Sequence, residues 1–217
     1  MTTEMSSSDL KLIALISGGI DSPAAAYKMS EVGADIILLH MDNRPHTDGA
    51  SIEKVRMIAS QLRKVTGKEF PLFVADHGPN QTIIKKECDN CYQCVLCKRL
   101  MMSVAKEIGV RNGCSGIVMG DSLGQVASQT LRNIRAESSD LGFPVVRPFI
   151  GLDKLEIEDI AKRIGTYELS ILPETPCGVL PARPVTEADP AKVIALQSQL
   201  RFGDMIMNSA DSAERIQ

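Results

Sequence analysis

Tryptophan is absent from the 217 residues, and aromatic side chains make up only 4% of them. That scarcity argues against a base-stacking platform for single-stranded nucleic acid. No run of about 18 apolar residues occurs, so no membrane span is expected. Residues 1–9 are rich in Ser and Thr, without the basic region or apolar core of a secretory signal. They predict a flexible segment over 1–10, and a cytoplasmic location follows. Basic residues are not in excess either: 24 Lys and Arg face 27 Asp and Glu, a net charge of −3. A generally basic surface is therefore excluded, and contact with nucleic acid requires a local patch. Gly-Lys-Ser and Gly-Lys-Thr are also missing, which excludes the loop that grips a γ-phosphate.

What is present is an ordinary globular composition, 44% hydrophobic and 24% charged. Short apolar runs at 12–16, 35–40, 69–74, 116–119 and 144–147 read as strands. Helical spacing occupies 23–32, 48–65, 95–108, 126–134, 153–164 and 191–202. Residues 76–93 are polar and irregular, 173–190 form a proline-rich loop, and the last ten residues read as a loose tail. The alternation predicts an α/β fold in one domain: a doubly wound, Rossmann-like parallel sheet with helices on both faces. Ligands of such sheets sit beyond the carboxyl ends of the strands. Leu15, Ile16, His40, Met41 and Gly120 fall there.

Directly after the first strand stands Ser17-Gly18-Gly19-Ile20-Asp21-Ser22. Two glycines let the backbone approach an anion, and amides at a helix start favour negative charge. Ser17 and Ser22 add hydroxyl donors. Asp21 would repel a phosphate unless a magnesium ion lay between them. The hexapeptide resembles the SGGxDS pyrophosphate loop of the ATP pyrophosphatases, the adenine nucleotide alpha-hydrolase (HUP-type, PP-loop) superfamily. The resemblance implies cleavage of ATP between its α and β phosphates.

A second signature begins at Gly120-Asp121-Ser122-Leu123-Gly124-Gln125, rich in small and polar residues, and runs on to Gln129-Thr130. Arg147-Pro148, Gly151-Leu152-Asp153-Lys154 and Pro173-Glu174-Thr175-Pro176-Cys177-Gly178 follow. Together these resemble the pyrophosphatase domain of the tRNA 4-thiouridine synthetases (tRNA sulfurtransferases). That domain would span 11–186, leaving 187–217 as a C-terminal helix and tail. The resemblance implies ATP binding at Leu15, Ile16, Ser17, Gly18, Gly19, Asp21, Ser22, His40, Met41, Lys98, Gly120 and Gln129. It implies catalytic roles for Asp21, Lys154 and Cys177. Family members adenylate the 4-oxo oxygen of uridine 8 in tRNA and replace it with sulfur. Many carry an RNA-binding THUMP region, and some a rhodanese domain that delivers sulfur. Neither is recognisable here, so a separate THUMP-type protein or sulfur donor is an expected partner, and a homodimer is a family expectation.

Cys88, Cys91, Cys94 and Cys97 form C-x-x-C-x-x-C-x-x-C, a density that points to metal or redox chemistry in a cytosolic chain. Three readings stay open. All four could hold zinc or an iron–sulfur cluster. Cys94 and Cys97, one helical turn apart, could join Cys177 in a three-cysteine cluster of 4Fe-4S or 3Fe-4S type, as in related tRNA thiolation enzymes. Or the thiols could form a redox relay. Cys114, before an apolar strand, reads as a buried thiol.

Lys85, Lys86, Arg99, Arg132, Arg135 and Arg147 are candidates for a basic rim that positions RNA through its phosphates. The leading expectation is an ATP-dependent tRNA sulfurtransferase. Two alternatives remain: adenylation of a small molecule, nucleobase or carrier protein, and a non-catalytic ATP- and metal-binding subunit.

Overall fold

The computed structural model describes residues 10–126 and 129–217. Residues 1–9 of the expected flexible segment 1–10 lie outside the described residues, as do positions 127 and 128 of the expected helix at 126–134. Among the described residues five parallel strands build the sheet: β1 (Lys11–Leu15), β2 (Asp35–Asp42), β3 (Leu72–Asp76), β4 (Gly116–Val118) and β5 (Val145–Val146). A sixth, β6 (Glu214–Arg215), pairs antiparallel with β3. Their order is β5-β4-β1-β2-β3-β6. The chain winds outward from β1 to β3, then returns to lay β4 on the other flank of β1. Winding direction therefore reverses between β1 and β4, where such sheets open a ligand crevice.

Strand periodicity sorts the core into two layers. Leu12, Ala14 and Ile16 face one side, and Ile13 and Leu15 face the other. The first side is covered by α1 (Asp21–Glu31), α2 (Ala50–Thr66), α6 (Lys154–Arg163) and α7 (Tyr167–Ser170). Ala24, Ala25 and Ala26 have no exposed surface, so α1 lies close on the strands. Val55, Ile58, Ala59 and Leu62 give α2 its apolar stripe. The second side carries α3 (Gly78–Glu87), α4 (Gln93–Arg111), α5 (Leu131–Ser138), α8 (Pro190–Ser198) and α9 (Phe202–Asp211). No helix among the described residues is long and apolar enough to cross a membrane.

The structure departs from the sequence expectations in four stretches. Residues 76–93 are not irregular: α3 fills most of them and buries Asn80 and Gln81 along with Ile84. The helix expected at 126–134 begins at Leu131, because Thr130 caps it by accepting the amide of Asn133. The helix expected at 191–202 ends at Ser198, and a second one, α9, starts at Phe202. The last ten residues are no loose tail, since they finish α9 and supply β6.

Arg99, expected at an RNA-facing rim, is only 6% exposed. It projects from α4 to the C-terminal end of α5. There it donates to the carbonyls of Ala136 (3.3 Å) and Ser139, to Ser139 Oγ (3.2 Å) and to Gln197 Oε1 (2.5 Å). A cation at a helix C-terminus satisfies carbonyls that the helix leaves open. Arg99→Ala should lower stability by about 3 kcal/mol, from several orphaned buried acceptors. Urea denaturation measures this; a loss under about 0.5 kcal/mol, the size of a surface change, would refute the strut assignment.

Candidate active site

The Ser17–Ser22 turn follows β1 and leads into α1, and its hydroxyls brace it internally. Ser17 N donates to Ser22 Oγ (2.9 Å), Gly19 N donates to Ser17 Oγ (3.2 Å), and the two hydroxyls lie 3.1 Å apart. Ser170 Oγ at the end of α7 donates to the carbonyl of Gly19 (3.2 Å). Gly120, just past β4, packs against this turn. A Cβ there would stand 2.7 Å from Ser22 N and 2.9 Å from the carbonyl carbon of Asp21. The position therefore requires glycine for its close backbone approach.

Between the two strand ends lies a pocket of about 230 Å³. Leu15, Ile16, Ser17, Gly19, Asp21, Ser22, His40, Met41, Gly120 and Gln129 line it, so ten of the twelve sequence-expected nucleotide residues share one cavity. Gly18 and Lys98 lie beside it rather than in its wall. Asn43, Met101, Met119 and Asp121 line it too: Asp121 belongs to the second signature, Asn43 and Met119 stand near strand ends, and Met101, inside α4, had no signal in the sequence. His40 sets its Nδ1 3.0 Å from the carbonyl of Ile16. Burial pushes its pKa down, against the pull of Asp42 and Glu174 charges, so the ring is neutral at pH 7. A carbonyl only accepts, so Nδ1 carries the proton and Nε2 is an acceptor. Nε2 is buried without a partner, as are Asn43 Oδ1 and Gln129 Oε1. Buried polar atoms are normally satisfied, and three orphans in one cavity wall mark a site that awaits donors.

Lys154 occupies the first turn of α6, fixed by a capping box in which Asp153 and Glu156 bond each other's backbone amides. Its ammonium donates to Asp21 Oδ1 at 3.1 Å, at the mouth of the pocket. Lys98 is held from the other side, donating to Asp121 Oδ1 at 3.0 Å, with Glu137 Oε2 at 3.9 Å. Arg147 donates to Asp121 Oδ2 at 3.1 Å. Burial would lower the Lys98 pKa, but Glu137 and Asp121 carry it above the usual lysine value. Burial would raise Asp121, yet Lys98 and Arg147 hold it below the usual carboxylate range. Glu137 is fully buried with neither oxygen hydrogen-bonded, and burial pushes it up to about 7.

The cysteine run divides. Cys88 ends α3, and exposed Cys91 sits on the turn before α4 with its amide on Asp89. Cys94 and Cys97 lie one turn apart on α4. The Gln81 side-chain amide donates to both Cys97 Sγ (3.8 Å) and Cys177 Sγ (3.7 Å), so the remote cysteine joins this end of the run. His77 Nε2 lies 3.0 Å from Cys97 Sγ. Burial drives His77 down to about 4 and Cys97 up to about 12, so both are neutral at pH 7. Cys94 is raised as well, by burial and by Cys177. Among the described residues no three His, Cys, Asp or Glu side chains converge on one metal ion. That holds for the run Cys88, Cys91, Cys94 and Cys97 and for Cys94, Cys97 and Cys177 alike, although Gln81 brings Cys97 and Cys177 into one neighbourhood. Cys114 is buried.

The basic rim is not assembled as expected. Arg99 and Arg147 point inward to α5 and Asp121. Lys85 and Lys86 are exposed on α3, and Arg135 is exposed on α5 beside Arg132, which pairs with Glu187 at 3.0 Å.

Comparison with known proteins adds a family and a solved fold. The family profile described as "Thiamine biosynthesis protein (ThiI)" matches residues 7–202. A probable tRNA sulfurtransferase of Methanothermobacter thermautotrophicus is 42% identical over 197 residues, 90% of this chain and 51% of the relative. One from Thermococcus kodakarensis is 46% identical over 179 residues, 81% of this chain and 46% of the relative. A 4-thiouridine synthetase–RNA complex with bound ATP matches with a TM-score of 0.89 at 34% identity, over 94% of this chain and 54% of that one. The chain spans about half the length of the curated relatives it matches.

Two measurements test this geometry. Gly120→Ala should force the Ser17 turn apart and weaken ATP binding at least about tenfold in calorimetry, while circular dichroism stays that of the parent. ATP bound with parental affinity would refute the close approach. The second concerns Glu137, whose carboxyl is ordinary (4.5) when unfolded and stands at about 7 when folded. As pH rises the unfolded chain loses this proton first, so stability falls between about pH 4.5 and 7, by about 3 kcal/mol for this group. Glu137→Gln should remove that slope and be more stable than the parent at pH 8. Parallel stability–pH curves for the two chains would contradict the assignment.

Proposed function

We propose, because this chain belongs to the ThiI family, that it transfers the adenylyl group of ATP to a tRNA uridine oxygen and exchanges it for sulfur, giving 4-thiouridine. The observation that carries this reading is the pocket with an SGGIDS turn at its edge and three unsatisfied acceptors in its wall. The solved relative, which holds both RNA and ATP, supports the same ligands for this chain.

ATP would lie with its base against Leu15, Ile16, His40 and Met41. His40 Nε2 would accept from the amino group of adenine, and the β and γ phosphates would rest on the Ser17 turn. The uridine 4-oxo oxygen is a poor leaving group. Its attack on the α-phosphorus forms an O–P bond as the bond to diphosphate breaks, and AMP becomes a good leaving group. A sulfur nucleophile then bonds to C4 and AMP departs with the former oxygen. Lys98 and Lys154 would neutralise charge that develops on the phosphates. Asp21, half-buried at the pocket mouth, fits a magnesium ion shared with phosphate oxygens, since this metal takes one or two carboxylates plus substrate. Lys154 would then give up its bond to Asp21 for the phosphate.

Cys94, Cys97 and Cys177 are the residues that would hold a three-cysteine iron–sulfur cluster, 4Fe-4S or 3Fe-4S: one amide touches two of the thiols and the third lies one turn away, although the three are not gathered into a metal-holding group among the described residues. When bound, such a cluster supplies an iron position for incoming sulfide. Uridine 8 is the proposed target, and a THUMP-type RNA-binding protein and a sulfur donor are proposed partners. Arg132, Arg135, Lys85 and Lys86 remain for phosphate contact.

Mass spectrometry of tRNA nucleosides from a deletion strain tests the substrate. Loss of 4-thiouridine is expected; an unchanged level would redirect the assignment to a small-molecule or carrier-protein acceptor. Asp21→Ala and Lys154→Ala should each cut tRNA-stimulated pyrophosphate release by about 10²-fold or more with an unchanged melting midpoint. Release at the parental rate in either variant refutes its role.

A further inference from the structure

Lys54 has no part in the site so far, yet it is a lysine only 3% exposed. Buried ammonium groups need partners, and this one has two. Its Nζ donates to the carbonyl of Ser170 at 2.9 Å and pairs with Glu174 Oε2 at 3.0 Å. Both partners lead to the glycine turn. Ser170 also bonds Gly19, as described above. Gly18 lies directly over the pair: a Cβ there would sit 2.5 Å from Lys54 Cδ and collide with Glu174 Oε2. Gly18 thus lacks a side chain where a cation and a carboxylate press against the turn. The same carboxylate lies within electrostatic reach of His40 in the pocket wall.

A carboxylate is an unexpected neighbour for a turn suited to phosphate, because the two anions repel. It makes sense as an anion of the chain's own that occupies the turn's cation. The two partners differ in freedom. The Lys54 side chain is 4% exposed and confined by α2 and Gly18, whereas Glu174 is 35% exposed and belongs to the proline-rich loop. When a more highly charged anion arrives, the carboxylate can leave and the ammonium cannot.

We infer that Lys54 is a ligand of the diphosphate leaving group, and that Glu174 holds its ammonium until ATP arrives. This rests on the proposed binding of diphosphate at the Ser17 turn. Glu174 stands three residues before Cys177, and Thr175 Oγ1 between them donates to Asp48 Oδ2 at 2.5 Å, near the start of α2. Loss of the Lys54 bond therefore removes one of the moorings of the segment that carries Cys177. Nucleotide loading and the freedom of the thiol become coupled through one ion pair.

Calorimetry with magnesium pyrophosphate, and separately with AMP, tests the assignment on the full chain and on Glu174→Gln, Lys54→Met and Lys54→Arg. Glu174→Gln should bind pyrophosphate about tenfold tighter, since no carboxylate competes, and Lys54→Met about tenfold weaker. Lys54→Arg should bind better than Lys54→Met, and AMP affinity should stay at the parental value throughout. Hydrogen exchange over residues 171–179 should quicken with pyrophosphate in the parent and be fast without it in Glu174→Gln. Pyrophosphate affinity unchanged in Lys54→Met overturns the inference. Should that variant fail to fold, Glu174→Gln decides alone, and unchanged or weaker pyrophosphate binding overturns it. A parent chain that binds neither ATP nor pyrophosphate refutes the diphosphate site itself, whereas a binding parent with indifferent variants removes only the role of Lys54.

Discussion

A single carbon added at Gly120 would strike the backbone of Ser22 and Asp21, and the rest of the site depends on the closeness of that contact. β4 pairs with β1 in parallel, so their carboxyl ends emerge side by side at the point where winding reverses. The backbone after β4 then rests on the backbone after β1, without side chains between. This fixes the width of the pocket. It also fixes Asp121, one residue further on, and through Asp121 the ammonium of Lys98 and the guanidinium of Arg147. A shift of the β4 end would therefore move the turn and the cations together.

Charge inside the molecule is divided unequally, and the division has a purpose in the proposed chemistry. Asp121 carries its charge readily because two cations face it, while Glu137 resists ionisation with no hydrogen bond to support it. Lys98 lies between them. Burial alone would favour the neutral amine. The two acids keep it charged, and a polyphosphate would meet a cation already oriented. On the opposite side, Lys154 is aimed by the capping box that starts α6. The two lysines reach the pocket from different helices, so neither depends on the other for its position.

Local patterns in the chain announced most of this arrangement. The alternating strand runs, the Val55 to Leu62 stripe and the SGGIDS turn were legible because each follows from backbone periodicity or glycine geometry. What escaped notice escaped for physical reasons. Helix α3 buries Asn80 and Gln81 through side-chain bonds to Ser209 and to the thiols, so its inner face is polar and shows no apolar stripe. β6 is two residues long with charged side chains, and its strand character comes from pairing with β3 rather than from propensity. Arg99 reads like any surface arginine until α5 places its carbonyls opposite. Lys54 sits among apolar neighbours in α2, and only the fold shows that its ammonium reaches the turn. Long-range partners of this kind leave no mark on spacing.

The two flanks of the sheet differ in what they leave unpaired. On one flank β6 runs antiparallel along β3, and both of its side chains, Glu214 and Arg215, are exposed. On the other, β5 is only two residues long. Short, charged or capped edges give an incoming strand few amides and carbonyls to grip. Copies of this domain crowded at high concentration should therefore resist fusing sheet to sheet, so the fold is kept from polymerising through its own backbone.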